Sequence, residues 1–176
     1  MRKLPVNLIG KIIILVFILF SSLTFAGGQS MNNTHLALEV NGLQVYLVNQ
    51  SDDVVIAMPN GRSLPLLTMN LHDGDNNKIT IKSRADIMKF DNTIYARDFV
   101  ELEAGARLKI GEAALVDDRL DLELLTVNLL KGTYQLTFIY TNDKHQYYDQ
   151  ETQGLVAVDN VWCGTIESQQ QSLIVK

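Results

Sequence analysis

Residues 129–140 read LLKGTYQLTFIY, and their alternating pattern is the clearest indication of the fold class. From Tyr134 onwards every second residue is aromatic or aliphatic, whereas Gln135 and Thr137 on intervening positions are polar. Successive side chains of a β-strand point to opposite faces of the sheet, so this alternation predicts a strand with one buried face. An exposed aromatic ladder for a sugar is the alternative, but a core stripe fits the pattern better. The four residues assigned to the core are Tyr134, Leu136, Phe138 and Tyr140.

Short runs of similar character fill the chain after residue 34. Turn residues such as Asn41-Gly42 separate them about every eight to twelve residues, which is typical of strands in a sandwich. Residues 112–116 fit a short helical turn, and no long amphipathic helix is predicted. We therefore predict a single all-β sandwich domain over residues 35–176. The predicted strands cover residues 35–40, 43–48, 54–58, 66–71, 79–82, 96–103, 107–110, 120–125, 134–140 and 161–167, with 172–175 extending the last one.

The first 26 residues have the features of a cleavable secretory signal peptide. A basic head with Arg2 and Lys3 precedes an apolar block over residues 12–20, and we place cleavage after Ala26. A polar arm, residues 27–34, follows. The apolar block is shorter than the roughly 20 residues that a spanning helix needs, so an uncleaved membrane anchor is the less favoured alternative. We expect a periplasmic or secreted protein without a membrane span after cleavage.

Composition excludes several classes of function. The 176 residues carry a net charge of −5, and removing residues 1–26 takes away three basic residues and no acidic one, which leaves −8. An acidic chain of this kind is unsuited to nucleic acid. One Cys excludes a disulfide framework and a cysteine-based zinc site. The common nucleophile, phosphate-loop and metalloprotease motifs are missing from the sequence, so we predict no enzyme and no cofactor.

Residues 72–77, HDGDNN, offer oxygen ligands at alternate positions, like the start of a calcium loop. The match then fails, because Lys78 and Arg84 stand where a Gly and a bidentate Glu belong. We predict a polar turn here and no metal site. A metal protein or enzyme built around His72, Asp73 and Asp75 is kept as an alternative.

The spacing Leu-x-x-Gly-x-Tyr over residues 129–134 resembles the tyrosine corner of Greek-key sandwiches. In that motif the Tyr hydroxyl binds the preceding connection while its ring packs inward. Lys131 replaces the usual Pro, whereas Gly132 and Tyr134 are kept. The resemblance implies structural roles for Gly132 and Tyr134.

Two further motifs resemble exported bacterial immunoglobulin-like domains. Residues 98–105, DFVELEAG, are similar to their D-x-x-x-L-x-x-G approach, and residues 161–168, VWCGTIES, are similar to their closing W-x-G-x-x-x-S strand. The resemblance covers about residues 98–176. It implies an immunoglobulin-like Greek-key β-sandwich in which Trp162 and Gly164 are structural, and it implies no chemistry. Cys163 lies between these two residues, and we predict a buried, inert thiol, with a reactive thiol or an intermolecular bridge as alternatives.

Residues 141–160 are the most promising binding segment. They join two predicted strands by a connection longer than a hairpin needs, and they hold the polar-flanked pair Tyr147-Tyr148. Tyr side chains in a polar loop offer contact area together with hydrogen bonding. We predict that these residues bind a partner, although they could instead cover the sandwich edge, with 154–158 as an extra strand. The predicted binding residues are His145, Tyr147, Tyr148 and Asp149.

The predicted function is therefore non-catalytic binding by the end loops of an exported sandwich. The expected partner is another protein in the cell envelope or outside it. A small protease inhibitor of the β-sandwich type is one alternative. A structural subunit of an envelope assembly, whose edge strands pair with a neighbour, is another.

Overall fold

The computed structural model describes residues 36–59, 66–83 and 93–176, all within one compact unit, Asn33–Lys176. The predicted signal peptide (1–26) and arm (27–34) lie outside the described residues. The part described forms strands and one turn of 3-10 helix, Ala96–Asp98, and contains no α-helix. In chain order the strands are β1 (Leu36–Asn41), β2 (Gln44–Asn49), β3 (Val55–Ala57), β4 (Leu67–His72), β5 (Lys82–Ser83), β6 (Val100–Leu102), β7 (Arg107–Val116), β8 (Arg119–Leu122), β9 (Leu125–Asn128), β10 (Gly132–Asn142), β11 (Gln146–Asp149), β12 (Gly154–Ala157), β13 (Gly164–Glu167) and β14 (Gln171–Val175).

The larger sheet has six strands in the order β1-β2-β7-β8-β9-β5, and all its neighbouring pairs are antiparallel. The predicted turn at Asn41-Gly42 closes the β1–β2 hairpin, where Gly42 has a φ of 64° that suits glycine. Strand β7 carries one extra residue, Ile110, opposite the junction of Val45 and Tyr46. This β-bulge bends the sheet between β2 and β8.

The second sheet is built around β10, the strand that contains the alternating residues Tyr134, Leu136, Phe138 and Tyr140. Strand β4 pairs along one side of β10, and β13 and β14 share the other side. Between β13 and β14, Ser168 continues the hydrogen bonding along this side of β10. Its N–H donates to Phe138 O at 2.9 Å, and its Oγ accepts from Phe138 N at 3.0 Å. Strands β3 and β6 form one small antiparallel pair, and β11 and β12 form another.

Both larger sheets contribute to one core of buried apolar side chains, which confirms an all-β, sandwich-like architecture. The four residues assigned to the core from the alternation of β10 are buried, so that prediction is confirmed. From the six-stranded sheet the core includes Leu36, Leu38, Val45, Leu47, Leu120 and Leu122, and from the other sheet it includes Leu67, Met69, Leu71, Leu136, Phe138 and Leu173.

Several predicted segments have a different structure. Residues 120–125 are not one strand, because a turn at residues 123 and 124 separates β8 from β9, and Glu123 has a φ of 48°. Of residues 79–82, only Lys82 lies in a strand, β5.

Residues 112–116 continue β7 and form no helical turn, because they pair with β8 across a tight turn that begins at Asp117. Residues 96–103 are not one strand. The Asp98 carboxylate accepts a 2.8 Å hydrogen bond from Tyr95 N, which stabilises the 3-10 turn before β6 begins.

Candidate functional site

The predicted binding segment forms a β-hairpin. Strand β10 runs on to Asn142, and β11 and β12 then pair with each other before the chain returns at β13. The segment is therefore an ordered hairpin, and the alternative of an extra strand over residues 154–158 is confirmed by β12. Cross-strand pairing sets Tyr147 opposite Val156 and Tyr148 opposite Leu155.

A buried amide fixes the base of this hairpin. Asn142 is 1% exposed, and its Nδ2 donates to Trp162 O at 2.8 Å and to Lys144 O at 3.2 Å. Its Oδ1 accepts from Lys144 N at 2.9 Å. Beyond this point Val158 N donates to His145 O at 2.8 Å. The incoming and outgoing chains are thereby tied together, so the hairpin is held at its base.

The turn of the hairpin depends on Asp149. Its Oδ2 accepts from the Thr152 hydroxyl at 2.7 Å and from Thr152 N at 3.2 Å, and its Oδ1 accepts from Glu151 N at 3.3 Å. The Thr152 hydroxyl, together with these main-chain donors, lowers the pKa of Asp149 below its ordinary value of 3.8. Asp149 therefore has a structural role in the turn.

The two tyrosines lie on opposite faces of the hairpin, as neighbours on a strand must. Tyr147 is half-buried. Tyr148 is 36% exposed, and Leu155, directly opposite, is 70% exposed. Tyr148 and Leu155 form an exposed apolar pair, while His145 is exposed at the base of the hairpin.

Residues before β6 lie next to β11 and were not predicted from the sequence to do so. Tyr148 N donates to Ile94 O at 2.7 Å, so β11 is bound to the segment that leads into the 3-10 turn. In that segment the Arg97 guanidinium lies 5.0 Å from the centre of the Tyr95 ring, a cation–π contact. The Tyr-x-Arg spacing was the available signal, but Arg97 lies within the predicted strand 96–103 and Tyr95 just before it, which concealed the pair. We call Tyr148, Leu155, Tyr95 and Arg97 the hairpin surface.

At the base of the hairpin, Trp162 of the closing motif packs against Tyr140 of β10. The rings of Trp162 and Tyr140 have their centres 5.7 Å apart, and both residues are buried. Tyr140 donates its hydroxyl to Met58 O at 2.6 Å, and burial raises the pKa of this phenol. A Cβ on Gly164 would lie 3.1 Å from Trp162 Cζ2, so glycine lets the indole approach the backbone.

The tyrosine-corner geometry is also present. The Tyr134 hydroxyl donates to Leu130 O at 2.8 Å and accepts from Leu130 N at 3.0 Å, while Tyr134 itself is buried. Gly132, the other residue of this motif, begins β10. These bonds close the connection between β9 and β10.

Cys163 is exposed, so the prediction of a buried thiol is wrong. Strand β13 begins at Gly164, and the chain before it has already buried Trp162, which leaves the next side chain facing outwards. The Cys163 thiol contacts Lys144 O at 3.7 Å. Partial burial, with a smaller effect of the Asp143 carboxylate, raises the pKa of this thiol.

The polar stretch at residues 72–77 forms a turn organised by Asp73. Its Oδ1 accepts from Asn77 N at 2.8 Å and from Asp75 N at 3.0 Å, and bonding by Asn77 lowers the Asp73 pKa. In the described ranges no group of three or more His, Cys, Asp or Glu side chains is placed to hold a metal ion. Among the same residues, no helix is both long enough and apolar enough to cross a bilayer.

We compared the chain with models of protein families, with curated proteins and with solved structures, and none of the three comparisons finds a match. The function proposed below is therefore supported by the chemistry of these residues alone.

Proposed function

We propose that this chain is an exported, non-catalytic binding module that captures another protein through the hairpin surface. The observation that carries the proposal is the exposed pair of Tyr148 and Leu155 on a hairpin fixed at both ends. Apolar side chains that face solvent together on an ordered element are typical of interaction sites. Tyr and Arg, which complete this surface, are enriched at interface hot spots.

Preorganisation favours this function. Binding by a mobile loop loses free energy to ordering of the loop, whereas Asn142 and Asp149 already fix the hairpin before a partner arrives. Of the four predicted binding residues, Tyr148 and His145 are exposed and suited to contact, while Asp149 and the half-buried Tyr147 support the hairpin.

The test places a photo-crosslinking amino acid at position 148 of the exported protein in its native envelope. We expect one discrete crosslinked product that is lost on Leu155→Ala. The matched control is Ile174→Ala, which removes a similarly exposed apolar side chain from β14 and leaves the product unchanged. Equal crosslinking in both variants would show that the hairpin surface is not the binding site.

Export and fold type belong to the same proposal. We infer cleavage after Ala26, and intact-mass measurement of the exported protein should give a chain that starts at Gly27. We also infer that the sandwich is of the immunoglobulin-like Greek-key type. The Tyr134 bonds to Leu130 and the packing of Trp162 on Gly164 support this inference.

A structural subunit of an envelope assembly is the second candidate. It is favoured by β1, an edge strand of the six-stranded sheet with no strand paired along its outer side in the part of the chain described.

A further inference from the structure

The main-chain N–H and C=O groups of every second residue of β1 point away from β2. Asn49 N donates to Ala106 O, and Asn49 O accepts from Gly105 N, so both main-chain groups of Asn49 point away from β1. Leu36, opposite Asn49, is therefore in a non-hydrogen-bonded pair, and its own N–H and C=O point away from β2. Because these directions alternate along a strand, the N–H and C=O groups of Leu38 and Val40 point the same way.

None of these groups has a hydrogen-bond partner on that side within residues 36–59, 66–83 and 93–176. The outer side of β1 thus offers three donors and three acceptors in a row. Such a row is a template for another extended chain. The existing β1–β2 pairing does not compete for these groups.

A groove runs beside this edge, between β1 and the chain from β13 to β14. Its volume is about 570 Å³, which is enough for several side chains. Half-buried Ile166 lies in its wall on the side of β13. Side chains of an added strand that face the core would enter this groove. Its lining includes Leu36, Leu38, Glu39, Val40, Ile166 and Glu167.

The sequence pattern of an added strand follows from its pairing with β1. In an antiparallel addition, residues opposite Leu36, Leu38 and Val40 share their inward direction and must be apolar. Residues between them face solvent. The groove lining holds two carboxylates, Glu39 and Glu167, and no cationic side chain. Glu39 already pairs with Arg107 at 3.1 Å, whereas Glu167 has no ion-pair partner among the described residues.

Charge and pattern separate the possible occupants. A second copy of this chain would add another Glu39 and a further net charge of −5, or of −8 without residues 1–26. The sequence of the polar arm, GGQSMNNT, lacks alternating apolar residues. A basic, alternating segment of a different protein satisfies both requirements.

We propose that the outer edge of β1 is a strand-addition site for an extended segment of a partner protein. The segment pairs antiparallel with Leu36–Val40, carries apolar residues at alternate positions and has basic residues on the remaining ones. This site is separate from the hairpin surface and goes beyond the function proposed above. Loss of either site leaves the other intact.

The test uses a synthetic peptide, acetyl-Lys-Ile-Thr-Val-Lys-Ile-Lys-amide, and the exported protein. Titration calorimetry measures affinity, and amide hydrogen exchange by NMR locates the site. We expect exchange at the Leu36, Leu38 and Val40 amides to slow about tenfold or more. The amides of Ser172 and Ile174, on the outer edge of β14, should not change.

A matched peptide is N-methylated at its two Ile and one Val, which removes its donors but keeps its side chains. It should bind at least about tenfold more weakly, because at least one main-chain hydrogen bond is lost. Equal affinity of the two peptides, or no protection of the three β1 amides, would overturn the proposal. Self-association through β1 without peptide, detected by sedimentation equilibrium, would also overturn it.

Substitutions in the protein provide an independent test of the binding site on β1. Val40→Pro removes a main-chain donor on the outer side of β1, where proline is tolerated, and should weaken binding about tenfold. Val40→Thr keeps that donor and should bind within about threefold of the parent chain. Glu167→Gln should reduce affinity and its salt dependence. If Val40→Pro does not fold, the N-methylated peptide decides the question on the parent protein.

Discussion

Gly164 leaves room for the Trp162 ring to lie close to the backbone at the start of β13. We expect Gly164→Ala to destabilise the fold by about 1–3 kcal/mol, because the new Cβ would lie 3.1 Å from Trp162 Cζ2 and because Gly164 has a φ of 154°, which strains an L side chain. Urea unfolding measures the loss, and Trp162 fluorescence reports the displaced ring, since the sequence holds one Trp.

Gly154→Ala is the matched control, because a Cβ there meets its nearest atom, Thr152 Oγ1, at 3.8 Å. This variant should change stability by less than about 0.5 kcal/mol. Equal effects of the two substitutions would show that indole packing on Gly164 does not limit stability.

Cys163 provides a second test at the scale of one side chain. The exposed thiol should react to one equivalent with a disulfide reagent in the native protein. Because the thiolate is the nucleophile and the pKa of Cys163 is raised, the rate should still be increasing when the pH passes 9.0, its ordinary pKa. Asp143→Asn should move the midpoint of that increase to lower pH. A thiol that reacts only after denaturation would contradict the exposed position.

Sequence patterns at this scale succeeded where burial follows strict alternation. Tyr134, Leu136 and Phe138 could be assigned to the core because β10 is a continuous strand. Cys163 could not, since the predicted strand began too early and the buried neighbour Trp162 determines which way Cys163 faces. The role of Asn142 could not be predicted from the sequence, because its amide hydrogen-bonds to carbonyl groups that are close to it only in the folded chain.

At the scale of elements, the hairpin of β11 and β12 is coupled to pH through its turn. The Thr152 hydroxyl and main-chain donors stabilise the ionised form of Asp149, so the pKa of Asp149 is lower in the folded protein than in the unfolded chain. The stabilisation is complete above the unfolded value of 3.8 and is lost as the pH falls through the lower native value.

We therefore expect the NMR signal of the Thr152 amide to titrate with a midpoint below 3.8, accompanied by loosening of the β11–β12 pairing. Asp149→Asn removes this titration, and the amide should then be insensitive to pH in that range. A midpoint above 3.8 would show that the carboxylate is not bound as the turn requires.

The hairpin itself was hard to predict from sequence. Adjacent Tyr147 and Tyr148 break the apolar–polar alternation, since one is half-buried and the other faces solvent. Its turn has no Asn-Gly or Asp-Gly pair, and Gln153 takes the left-handed conformation at a φ of 52°. Residues 112–116 were misread for another reason. Their Ala-rich sequence suits a helix, and pairing with β8 overrides that preference.

For the whole molecule, the sequence indicates strands but not which of them pair. Strands β4 and β10 are neighbours although Thr68 and its partner Ile139 are far apart in the chain, and only the shared core brings them together. Strand order is set by packing between sheets. A contact that joins the two sheets therefore tests the architecture more directly than any single strand does.

Gly111 on β7 and Leu67 on β4 make such a contact, because a Cβ on Gly111 would lie 2.5 Å from Leu67 Cδ2. Gly111→Ala should cost about 1–2 kcal/mol by overpacking, and Leu67→Ala about 2–4 kcal/mol by leaving a cavity. In the double variant the new methyl group occupies part of that cavity. The sum of the stability losses of the two single variants should therefore exceed the loss of the double variant by at least about 1 kcal/mol. Urea unfolding of all four proteins gives this coupling energy.

Val175→Ala is the control partner for Gly111→Ala. Val175 pairs with Gly132 and Leu67 pairs with Tyr140, at opposite ends of β10, so the losses caused by Val175→Ala and Gly111→Ala should add. Additive losses in the Leu67 cycle as well would mean that the two sheets do not face each other across this contact.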